Sequence, residues 1–276
     1  MKKVILTIAL AATAMFANAQ TMTSKNGTMI LPEADNWWIG VDAAPALNYF
    51  GNLLNNSSSN SVGFSYQKPL TIVGGMVVDA NTSYRVQVGI GFGSSTVNAL
   101  IDQDGSTSNP PAQVTDTYKD GGSNITIGGG LQKNRGKGRL RGIYGVEAGI
   151  SLGSSKDTYT YGNAINSTYP NPGTTNFGGN IGGIGRIKES KAGSTFGFGV
   201  RGFIGAEYFF AAKMSIGGEF GWGPSLSSTG EGEVTSEGWD AQANGVKTLT
   251  TKTGKSSSFG LGVDNASGQI VMRFYF

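Results

Sequence analysis

The chain has no cysteine and no histidine in its 276 residues. Without cysteine there are no disulfides, no thiolate metal sites and no residue for a lipid anchor behind a leader. Without histidine the usual general base, the commonest metal ligand and every Ser-His nucleophile pair are missing. Charge is also scarce: Asp, Glu, Lys and Arg make up 14% of the residues. Lys2 and Lys3 belong to a stretch expected to be removed, and without them the remaining basic and acidic residues nearly balance. No nucleic-acid-binding face is expected from that balance. Beyond the first twenty residues no apolar run of about 18 or more remains, so a spanning helix is not expected. A chain of this kind that enters a bilayer must do so as a closed sheet, because only helices and closed sheets satisfy their backbone hydrogen bonds in lipid.

What is present begins with MKKVILTIALAATAMFANAQ. Two lysines, an apolar run from Val4 to Phe16 and Ala17-Asn18-Ala19 are the three parts of a cleaved secretory signal, which predicts a leader over 1–19 and a mature start near Gln20. Residues 20–35 carry Ser, Thr, Asn, Gly and Pro without a period and read as a mobile N-terminal lead. The 45 glycines follow no collagen repeat and interleave with Val, Ile, Phe and Tyr, as in many strands with close backbone contacts.

From Trp37 the chain alternates with period two, the mark of strands with two unlike faces. The pattern predicts strands over about 36–50, 64–78, 83–101, 117–133, 139–160, 194–210 and 214–229, with a last one reaching Phe276. In the third, Val86, Val88, Ile90 and Phe92 oppose Arg85, Gln87, Gly89 and Gly91. The connections alternate long and short: polar loops at 51–63, 102–116, 161–192 and 230–256, and tight turns at 79–82, 134–138 and 211–213. An even number of strands joined in this way is the layout of a transmembrane barrel, with both termini on the periplasmic side. The fold expected over 36–276 is therefore all-β, an eight-stranded antiparallel up-and-down transmembrane β-barrel. Trp37, Trp38, Tyr84, Phe209, Phe210, Tyr275 and Phe276 fall at the periplasmic strand ends and are expected to form an interfacial girdle.

The final stretch, GQIVMRFYF, places Ile270, Met272, Phe274 and Phe276 on one face and Val271, Arg273 and Tyr275 on the other. It resembles the C-terminal insertion signal of bacterial outer-membrane barrels at Gln269, Phe274 and Phe276, with Val271 standing where that family has Gly. GFIGAEYFFAAKMSIGGEFGWG, Gly202 to Gly223, is similar to the small OmpA/OmpX-type barrels, in particular their Gly-rich single-domain versions in Bacteroidetes-like bacteria. The resemblance implies residence in the outer membrane of a Gram-negative cell, contact with outer-membrane lipid, and recognition of the C-terminal strand by the barrel-assembly machinery. It also argues against an enzyme, because the outer-membrane barrel enzymes rely on a histidine.

Strand parity predicts an inward set of charges: Asp42, Glu147, Glu207 and Glu219 with Arg85, Arg141, Arg201 and Arg273. An eight-stranded interior is just wide enough to be filled by side chains, so these groups are expected to pair across it as a polar plug; otherwise they pair locally or sit above the membrane. No catalytic, cofactor or metal residues are assigned. Gly197–Gly202 fits GxGxxG inside a strand, Gly254-Lys255-Ser256 lacks the upstream glycine of a phosphate loop, and Asp102-x-Asp104-Gly105 lacks the rest of a calcium loop. Glu231, Glu233, Glu237 and Asp240 make the last outer loop acidic. The function expected is a structural or surface-interaction role, in adhesion or envelope integrity, with a host or envelope ligand at the loops. The loops are otherwise solvated coil. A small porin-like channel is the main alternative, and a soluble lipocalin-like binder a third.

Overall fold

Alternation sets the form of the chain. Tyr84, Val86, Ile90 and Phe92 turn out of one strand face while Ser83, Arg85, Gly89 and Gly91 turn the other way, buried. The computed structural model describes residues 22–24, 27–42, 70–182, 185–263 and 269–276, without the side chains of Asp42 and Gln269 among others. The expected leader 1–19 with its cleavage near Ala19, the far half of the first expected strand and the loop 51–63 lie outside the described residues.

The strands are β1 (Trp37–Asp42), β2 (Leu70–Asp79), β3 (Thr82–Asp102), β4 (Gln113–Arg135), β5 (Leu140–Thr160), β6 (Ile181–Gly182), β7 (Gly185–Lys191), β8 (Thr195–Ala211), β9 (Met214–Thr229), β10 (Gly232–Asp240), β11 (Gly245–Thr253), β12 (Ser256–Val263) and β13 (Gln269–Tyr275). All the pairings are antiparallel. They run β1–β2–β3–β4–β5–β8–β9–β13 and return to β1, closing a ring through eight strands. β12 continues the last strand along β9 on the far side of residues 264–268. The tight turns stand at one end of the ring. At the β2–β3 turn the Asp79 carboxylate accepts the Asn81 amide at 2.7 Å.

At the other end two expected loops turn out to be sheet. Within 161–192, β7 forms and pairs with β5 at Lys156–Thr158, just past the point where β5 leaves β8. Within 230–256, β10 and β11 form a hairpin that continues the sheet from β7. Its turn is closed by the Asp240 carboxylate, which accepts the amides of Gln242 and Ala243 at 2.9 and 3.1 Å. These strands carry Thr, Ser, Glu and Lys on both faces, so they lack the apolar alternation that marks the wall strands.

The ring is inverted relative to a water-soluble core. Phe92 is 70% exposed and Ile90, Val86, Val146, Ile150, Phe198 and Trp222 face out with it, while Arg273 is 1% exposed and Arg85, Glu207 and Glu219 are buried with it inside. The expected girdle is corrected by the same parity. Neighbours in a strand face opposite ways, so Trp37, Phe210 and Phe276 point out while Trp38, Phe209 and Tyr275 point in. The inward three pack with Val73, Val77 and Ile30. Within the N-terminal lead, Ile30 is buried in the ring at the turn end. Wide interior side chains lie over glycines on neighbouring strands. A Cβ on Gly145 would stand 2.1 Å from the Leu131 carbonyl and 2.7 Å from the Phe203 ring.

Candidate functional site: the charged interior

The inward positions of β3, β5, β8, β9 and β13 converge on one carboxylate. Glu219 accepts both terminal nitrogens of Arg85 at 2.8 and 3.0 Å, Nη1 of Arg201 at 3.0 Å and Nη2 of Arg273 at 3.4 Å. The fork of Arg85 spans the two Glu219 oxygens, the paired geometry that a planar guanidinium makes with a carboxylate. Glu147 lies 2.9 Å from Nη1 of Arg201 and 3.3 Å from Nε of Arg85, the second contact being an ion pair without hydrogen-bond alignment. The Phe203 ring fills the space beneath, 4.4 Å from the Arg85 guanidinium and 5.5 Å from that of Arg201.

A second node stands nearer the turns. Oε1 of Glu207 accepts the Ser215 hydroxyl at 2.5 Å and the Tyr275 hydroxyl at 2.7 Å, and lies 3.5 Å from Nη1 of Arg273. Arg273 joins the two nodes and lies over the Trp38 ring at 4.8 Å. A chain of neutral groups completes the layer: Arg85 donates to Gln132 at 3.5 Å, Gln132 to Asn134 at 2.7 Å and Asn134 to Ser83 at 3.2 Å.

Six of the residues expected inside thus form one connected network: Arg85, Glu147, Arg201, Glu207, Glu219 and Arg273. Arg141 is buried and in register with Glu207, but its guanidinium donates to the Ala80 carbonyl in the β2–β3 turn and makes no ion pair among the described residues. Strand direction explains the difference, since Arg141 starts β5 beside that turn and reaches backbone before it reaches a carboxylate. Asp42 is paired in the backbone with Val271, and Gln269 with Glu219. Phe274 and Phe276 face outward, 37% and 67% exposed. Sequence reasoning left Phe203, Gln132, Asn134 and Ser215 out of the interior set, although the parity that placed Arg201, Arg85 and Glu219 also applies to them.

Chemically the arrangement commits its carboxylates to guanidinium and hydroxyl donors, which suits closure more than proton transfer. On the loop side of the network the inward positions shrink to Thr126, Ser151, Gly199 and Ser225, and an open cleft of about 480 Å³ adjoins Arg201.

The projecting sheet has its own fixed points. Arg186 lies 3.0 Å from Glu237, donates to the Asn163 carbonyl at 2.8 Å and covers the Tyr161 ring at 4.1 Å. Buried Asp116 accepts the amides of Gly162 and Thr175, each at 2.8 Å. Tyr118 and Tyr159 stack at 5.0 Å, and burial followed by the hydrogen bond to Asp157 pushes the Tyr118 phenol up to about 12. The acidic loop is largely neutralised in place, Glu231 by Lys252, Glu237 by Arg186 and Lys188, and Asp240 by Lys247. Asp104 of the calcium-like motif spends its carboxylate on the Gly173 amide at 3.1 and 3.3 Å. Gly197–Gly202 lies within β8, between β5 and β9. No protein-family model and no curated protein matches the chain.

Proposed function

We propose that the chain is an eight-stranded up-and-down β-barrel of the Gram-negative outer membrane, non-enzymatic, acting in surface interaction through the sheet that projects from its loop end. The inversion of the ring supports this most: an apolar outer face over a charged, packed interior suits acyl chains outside and no solvent inside. In water that outer face is a contiguous apolar belt far larger than a soluble monomer tolerates. β3 and β4, at about 3.3 Å per residue, are each roughly 70 Å long, well beyond an apolar band of about 25 Å even when tilted. Their excess length carries β7, β10 and β11 away from the bilayer, where a host or envelope ligand meets them. The likeness to the small OmpA/OmpX-type barrels belongs to this reading, as do cleavage near Ala19, contact with outer-membrane lipid and insertion by the barrel-assembly machinery through β13.

The Glu219 network weighs against the porin-like alternative, because it fills the ring at one level with paired side chains. A lipocalin-like binder needs an apolar interior, and Arg and Glu occupy this one. Fractionation and planar-bilayer recording test the reading together. The expected result is detergent-dependent protein in the outer membrane with no steady conductance. A steady open conductance gives the channel instead, and protein that stays dissolved without detergent overturns the barrel. For the role, excision of the Gly232–Thr253 hairpin should abolish surface binding while leaving the ring inserted.

A further inference from the structure

The turn end of the ring is stopped by the chain's own N-terminal segment. Residues 22–24 and 28–30 lie side by side and antiparallel, with a bridge between Thr23 and Met29 and the Ile30 amide donating to Met22 at 2.9 Å. The fold presents Ile30, 2% exposed, to a pocket of Trp38, Val73, Val77, Phe209 and Tyr275. Those residues come from both sides of the seam where the first strand of the ring meets the last: Trp38, Val73 and Val77 from β1 and β2, Phe209 and Tyr275 from β8 and β13.

Backbone bonds fix the segment to the same two sides. The Lys213 amide in the β8–β9 turn donates to the Ile30 carbonyl at 3.0 Å, and the Lys213 carbonyl accepts the Tyr275 amide at 2.8 Å. Lys213 takes a left-handed φ of 56° to do both. Across the seam the Asp35 amide donates to the Val77 carbonyl at 2.8 Å and the Val77 amide to Asn36 at 2.9 Å. Next to this apolar stopper stands the Glu207 node, since Tyr275 belongs to both.

We propose that residues 27–36 are a latch. They seal the turn-side mouth against water, keep water from the Glu207 and Arg273 pair, and hold together the seam at which β13 closes on β1. The apolar pocket of Ile30 draws on both sides of the seam, so it is complete only when the ring is closed, and the seated latch opposes reopening. The proposal rests on the closed ring alone and stands apart from where the protein resides.

The absence of cysteine makes the test clean, because one introduced thiol is the sole target of a water-soluble maleimide. With the latch in place Val77→Cys should react at least a hundredfold more slowly than Gln242→Cys in the exposed β10–β11 turn. Adding Ile30→Asp, or removing residues 22–34, should speed Val77→Cys labelling at least tenfold while circular dichroism still shows folded β-structure, and should raise the unfolding rate at least tenfold. Should Ile30→Asp fail to fold, Ile30→Ala carries the same comparison. Rapid labelling with the latch present, or equal labelling with and without it, overturns the seal. An unchanged unfolding rate overturns the hold on the seam.

Discussion

Replacing Glu219 with glutamine keeps the size of the side chain and removes its charge. The three guanidiniums that share this carboxylate, Arg85, Arg201 and Arg273, then face an amide. Arg201 retains Glu147 at 2.9 Å and Arg273 retains Glu207 at 3.5 Å, but Arg85 keeps just the unaligned contact to Glu147 at 3.3 Å and a long bond to the neutral Gln132 at 3.5 Å. The side chains of Arg85 and Arg273 are each 1% exposed, so water cannot stand in for the lost partner. Breaking a buried pair by removing one member costs about 3–5 kcal/mol, and each 1.4 kcal/mol is about a factor of ten in the folded-to-unfolded ratio. Glu219→Gln should therefore lower that ratio by two to three and a half orders of magnitude, by rough reckoning. Urea unfolding of detergent-folded protein, followed by tryptophan fluorescence, measures it. The double variant Glu219→Met with Arg85→Met removes both charges of the tightest pair and should recover part of the loss, a coupling of about 1–3 kcal/mol. A loss below about 1 kcal/mol for Glu219→Gln refutes the reasoning: the cluster would then be hydrated, and burial would not be what gives the pairing its weight.

Gly145→Ala forces a methyl to within 2.1 Å of the Leu131 carbonyl and should cost about 1–3 kcal/mol, whereas Gly218→Ala, with nothing within 4 Å, should stay within about 0.5 kcal/mol in the same unfolding assay. On the outward face Val146→Arg should destabilise the protein in lipid by about 2–4 kcal/mol, and the same charge at exposed Gln242 should be silent. Tyr118 ionises near 12 in the folded chain instead of 10.0, because burial and the bond to Asp157 favour its neutral form. A raised acid pKa gives stability that is whole below pH 10 and is lost as the pH climbs through 12. Ultraviolet titration should show a late tyrosine step that Tyr118→Phe diminishes, and a late step of the same size in that variant would contradict this.

The wall of the ring was legible because one rule governs it. Alternation at Tyr84 to Phe92 or at Tyr144 to Leu152 assigns both the strand and its two faces, and the same parity gathers Arg85, Glu147, Arg201, Glu207, Glu219 and Arg273 on the inner one. The expected girdle breaks that rule, since Trp37 with Trp38, or Phe209 with Phe210, cannot share one face. The projecting strands were hidden for a different reason. β11, GVKTLTTKT, is solvated on both faces, so no apolar stripe announces it, and only its threonines and the Asp240 turn hint at a hairpin. Ile30 was illegible in kind, since a lone apolar residue in a polar lead gives no period, and its burial depends on a pocket assembled from strands far away in sequence. Arg141 shows the limit of parity itself, which gives the side a residue faces but not which partner it reaches first.

β5 pairs with β8 up to Gly153 and with β7 from Lys156, and β7 pairs with β10, so one sheet joins the ring to the projecting hairpin. Consider a load applied to β10 or β11 along the strand direction. Inter-strand bonds lie across that direction, so they bear the load side by side and must yield together instead of peeling one at a time. Resistance to a pull along its strands is thereby built into the protruding sheet by the same ladder geometry that builds the wall.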